Sequence, residues 1–156
     1  MIKPELNDSL IQTFDTCALH VKRMEFAKSK VEVLIPLNSD NYNRMDEDTI
    51  SFLDQYIFRF SKLQDTMGVR LFPLVLESIA EPVSDKTFID ILNRLEKLGI
   101  LDSAFSWVQL RKIRNDVAHE YPSSLIERIE GINVLFDKLE EVKQIIERCQ
   151  SVFSKP

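Results

Sequence analysis

The stretch RNDVAHEY places Arg114, Asn115, His119 and Tyr121 within eight residues, in a chain with only two histidines. These residue types suit phosphate chemistry. Arginine keeps its charge and grips a phosphate through two parallel hydrogen bonds, so it can stabilise charge that grows in a transition state. Histidine, with an unperturbed pKa of about 6.5, accepts or donates a proton at neutral pH. Asn115 can orient the imidazole or the phosphate. The plainer reading is a helix end carrying ordinary surface polar groups, and that reading is adopted for the other histidine, His20.

Other candidate cations are Arg59 with Lys62, and Arg111 with Lys112, both pairs able to contact RNA. Lys22 and Arg23 read as a solvated helix face. The net charge is −5, whereas non-specific affinity for nucleic acid needs many cations on phosphates. Any RNA contact must therefore come from local basic surface. Three glycines and no GxGxxG or GxxxxGK[ST] pattern exclude the glycine-rich phosphate loops. Cys17 and Cys149 lack metal-type spacing and fall in apolar helical patterns, which reads as buried reduced thiols. No metal site and no cofactor are expected. MIKPELNDSL has no apolar run of a signal peptide and no segment has the length of a membrane span, so a cytoplasmic protein is expected.

The elements that must hold these residues are helical from end to end. Leu6, Leu10, Phe14, Cys17, Val21, Met24, Val31 and Leu34 recur at steps of three and four, which predicts one long amphipathic helix ended by Pro36. Ile50, Leu53, Ile57, Phe60, Leu63 and Met67 form a second stripe, with Asp46, Glu47 and Asp48 at its start. Gly68 and Pro73 interrupt it, predicting a kinked or broken helix through VRLFPLVLESIA. Ser84 or Asp85 is the expected cap of the next helix and Gly99 its stop; Asp102 or Ser103 caps the helix that carries the motif. A last helix is expected over 123–153. Residues 1–156 thus form a single all-α domain, an antiparallel four-helix bundle with one or two extra short helices. So many apolar side chains on so slim a bundle suggest a homodimer.

On a helical wheel Arg114 lies at the edge of the apolar side, and Arg114, Asn115 and His119 are expected to share one flank. Pro122 should end the helix and present His119 and Tyr121 at a helix corner. The pattern Arg114-Asn115-x3-His119-x-Tyr121 resembles the signature of the HEPN superfamily, specifically the HepT-like toxins. FLDQYIFRFSKLQDTMG resembles the second helix of that group. An Arg and a Tyr so spaced around one of two histidines should arise by chance in about one of several hundred ordinary chains.

The resemblance implies a metal-independent endoribonuclease, acting as a homodimer and neutralised by a cognate nucleotidyltransferase of the MNT type. Arg114 would hold the scissile phosphate and His119 would transfer protons. A ribose 2′-hydroxyl would attack the phosphorus to leave a 2′,3′-cyclic phosphate, and Tyr121 would accept AMP from the partner. Fold and motif are equally compatible with a non-catalytic subunit that presents a substrate to a nucleotidyltransferase. They also fit a purely structural helical partner with an incidental motif.

Overall fold

A computed structural model describes residues 2–119 and 124–154. The described residues form eight α-helices and no strand: α1 (Pro4–Val31), α2 (Ser39–Asn43), α3 (Glu47–Thr66), α4 (Phe72–Ser78), α5 (Phe88–Lys97), α6 (Ala104–Ala118), α7 (Leu125–Asp137) and α8 (Leu139–Ser154). A single turn of 3₁₀ helix, Glu32–Leu34, follows α1, and a π-helical turn, Met67–Leu71, joins α3 to α4. The long elements pack as an antiparallel bundle, with α2 and α5 as short additions.

Pairwise contacts set the register. Phe26 meets Phe52 and His20 meets Arg59, so α1 runs antiparallel to α3, its most extensive neighbour. Phe14 against Phe153 and Glu25 against Lys143 run α8 antiparallel to α1. The two terminal helices lie along each other, but α3 rather than α8 covers most of α1. Trp107 against Phe72 and Arg114 against Gln64 make α6 antiparallel to the α3–α4 rod. Leu10, Met24, Tyr56, Phe60, Leu63, Phe72, Leu92 and Phe136 fill the space between them. The Cys17 and Cys149 thiols are free and buried there, and burial pushes both up to about 12.

The interruption at Gly68 and Pro73 is a π turn within a rod that stays helical from Glu47 to Ser78. Pro73 cannot donate to a helical carbonyl, and the wider turn just before it absorbs the extra residue. Gly68 is buried inside that turn, where a Cβ would come within 3.2 Å of the Phe88 ring. The expected cap of α5 needs correction. Thr87, not Ser84 or Asp85, caps it through a reciprocal box with Asp90. Gly99 ends α5 at φ +77°, a conformation in which glycine is unstrained.

The single last helix is also corrected: it breaks at Lys138 into α7 and α8. No proline or glycine marks the break. Side chains from distant helices instead take the last carbonyls of α7: the Tyr56 hydroxyl donates to Leu135 O at 2.7 Å and Lys28 Nζ to Phe136 O at 3.3 Å. Those are the groups a helix end leaves unsatisfied.

Candidate functional site

Ser103 starts α6 by accepting from the Ser106 amide at 3.0 Å, while Asp102 turns away to pair with Arg148 at 3.3 Å. Ala104, Trp107, Leu110, Arg114 and Val117 form the buried face of α6. The close approach of α7 depends on Gly131, where a Cβ would stand 2.8 Å from Val117 Cγ2. Arg128 of α7 adds a bond from Nη1 to the Val117 carbonyl at 2.8 Å, and its Nε donates to the Tyr42 hydroxyl. The end of α6 is thus clamped from outside the helix. It stops at Ala118, with His119 as C-cap donating its amide to Asn115 O.

The motif residues separate on this helix. Arg114 is only 6% exposed and points into the seam with α3. Its Nη2 donates to Asp65 Oδ1 at 2.6 Å and its Nε to Gln64 Oε1 at 3.3 Å. Asp65 is half exposed, so the ion pair runs from the interior to the rim of the bundle. His119 is exposed on the outer side, where it lines a shallow depression with Val108, Arg111, Lys112, Asn115 and Asp116. The shared flank holds for Asn115 and His119 and fails for Arg114. The reason is angular: five residues at about 100° each leave Arg114 and His119 about 140° apart. Tyr121 lies outside the described residues.

The cations behave differently from one another. Lys112 is tied to Asp116 at 3.1 Å, one helical turn on. The Arg111 guanidinium lies 5.1 Å from the centre of the Phe88 ring. Arg59 and Lys62 sit 5.7 and 5.5 Å from the centre of the Phe58 ring. Arg59 Nη1 is also 3.2 Å from His20 Nδ1. A guanidinium can only donate, so His20 accepts at Nδ1 and is neutral. Burial, then the nearby Arg59 and Lys62 charges, hold its pKa below the ordinary histidine value.

His20 is therefore a buried support for Arg59, not the surface residue that its position suggested. Its stack on Thr13, Cys17, Met24 and Ala27 along the buried face of α1 was the signal for burial.

Among the described residues, no three His, Cys, Asp or Glu side chains gather to hold a metal ion. Among the same described residues, no helix is long and apolar enough to cross a membrane. Comparison with protein-family models, with curated proteins and with solved structures returns no match.

Proposed function

We propose that the chain is a metal-independent endoribonuclease toxin of the HepT-like type, with His119 as the proton-transfer residue and Arg114 as the phosphate ligand. The observation that carries this reading is the placement of His119. Its imidazole is exposed at the end of α6, in a depression that also holds Asn115, Arg111 and Lys112. In the reaction, a ribose 2′-oxygen loses its proton to a histidine and attacks the adjacent phosphorus. The 5′-oxygen leaves with a proton from a second histidine, giving a 2′,3′-cyclic phosphate and a 5′-hydroxyl. One chain offers one His119, so a two-fold homodimer supplies the acid and the base. The partner nucleotidyltransferase would silence it by transferring AMP to Tyr121, setting a bulky anionic group two residues from His119.

A second reading is favoured by the Arg114–Asp65 pair, which already neutralises the arginine and buries it. There the chain is a non-catalytic subunit that presents substrate to the transferase, and Arg114 joins α6 to α3.

The test is cleavage of a mixed RNA pool by the purified chain, with the new ends mapped. The ribonuclease reading expects 2′,3′-cyclic phosphate ends, indifference to a chelator, and a loss of about 10²- to 10⁴-fold in His119→Ala. Arg114→Lys, which keeps a buried cation, should lose activity while staying folded. Unchanged cleavage in His119→Ala overturns the reading. Incubation with the transferase and ATP should add one adenylyl mass to the wild type and none to Tyr121→Phe.

A further inference from the structure

We infer that Phe58, flanked by Arg59 and Lys62, is a stacking platform on which the protein holds a base of single-stranded RNA at the level of His119 along the bundle. The inference rests on the ribonuclease reading for its substrate and on the structure for its place. Phe58 is 53% exposed on α3, an unusual position for a phenylalanine. Both neighbouring cations lean on its ring, within 6 Å of the centroid, the range for cation–π attraction. The Arg59 guanidinium is further anchored from beneath by His20. An exposed aromatic ring with two cations over it matches one nucleotide: the base stacks on the ring once a flexible cation swings aside, and that cation pairs with the phosphate.

The register gives the platform its relevance. Arg114 stands against Gln64 and Trp107 against Phe72. Continuing that antiparallel step carries His119 to the level of Phe58 and Arg59. Asp65 on α3 is occupied by Arg114, and exposed Asp54 stands one helical turn before Phe58, so two cations face one carboxylate around the ring. Beyond Phe58, the face between α1 and α3 repeats the pattern. Phe26 is 49% exposed, carries Lys30 at 5.3 Å and packs edge-on against Phe52. Phe52 precedes Phe58 by six residues, about 9 Å along the helix. The two aromatic–cation units stand about 120° apart round α3 and offer a second contact to a flexible strand that wraps the helix. A duplex hides its base faces, so the platform selects single strands.

The experiment measures binding by fluorescence anisotropy in the cleavage-silent His119→Ala background. The probes are a labelled twelve-nucleotide oligouridylate, an oligoadenylate of the same length, and an RNA duplex of equal length. Phe58→Ala should weaken single-strand binding by about 5- to 150-fold, the equivalent of one lost stack, while Phe58→Trp restores it. Duplex binding should change less than twofold. Equal single-strand affinity in Phe58→Ala overturns the platform. So does a Phe58→Ala protein whose dimer falls apart in sedimentation, because the ring then belongs to an interface between two copies. The ribonuclease reading fails separately: a wild type that binds oligouridylate through Phe58 but never cuts RNA keeps the platform and loses the enzyme.

Discussion

Asp65→Asn isolates what the buried arginine is for. The amide keeps an oxygen where Arg114 Nη2 now finds one at 2.6 Å and removes the charge. The bond to Asn stays charge-assisted through the guanidinium, so the loss is the attraction of the ion pair, about 0.2–1 kcal/mol where a pair is exposed and about 3–5 kcal/mol where a buried one is broken. The carboxylate is half exposed, so solvent screening holds the difference near the low end, about 1 kcal/mol. At this chain length that corresponds to a fall in Tm of about 2–4 °C. Asp65→Ala removes the acceptor as well and leaves a guanidinium buried without its anion, at a cost of about 1–3 kcal/mol. Thermal unfolding of the single variants and of both in an Arg114→Met background closes a double-mutant cycle. In that background Asp65→Asn should be close to neutral. If it lowers Tm there as much as in the parent, the pair is not coupled and the argument from geometry is wrong. The same variant separates the two functional readings. Where Arg114 is shared with an RNA phosphate, removing the competing carboxylate tightens RNA binding. Where the arginine only joins two helices, affinity stays put and stability alone moves.

Gly131→Ala should destabilise the protein by about 1 kcal/mol in urea, because overpacking against Val117 costs about 1–3 kcal/mol and outweighs a helix-propensity gain of about 1; a variant more stable than its parent would show that α7 moves freely. His20, held neutral by burial beside Arg59 and Lys62, has a folded pKa below its unfolded one. Its contribution is therefore full above about pH 6.5 and is lost as pH falls through the folded value. Stability measured at pH 7.5 and 5.5 should drop more in the parent than in His20→Gln, and equal drops would remove the histidine from the account.

The helical character, the acidic start of α3 at Asp46, Glu47 and Asp48, a cap at Asp102 or Ser103 and the glycine stop at Gly99 follow from local chemistry and were legible in residue order. Apolar spacing of three and four leaves few alternatives to a bundle, and a side-chain oxygen before an apolar run has a free amide to satisfy. The π turn was half legible: Gly68 and Pro73 announced an interruption, but its form depended on Phe88 arriving from another element.

Where partners come from far along the chain, the sequence was silent. The break at Lys138 is held by Tyr56 and Lys28, more than seventy residues away in order. Arg114 looked like an edge residue, because a wheel records angle and not what stands opposite. Only the packing of α6 on α3 brought Asp65 and Gln64 to it, and a charge with such partners can be buried. The same packing, by turning the Arg114 face inward, put His119 outside. Residue types and spacing nominate the chemistry; which of them meet in space is decided by the register between helices, a property of surfaces that no single helix contains.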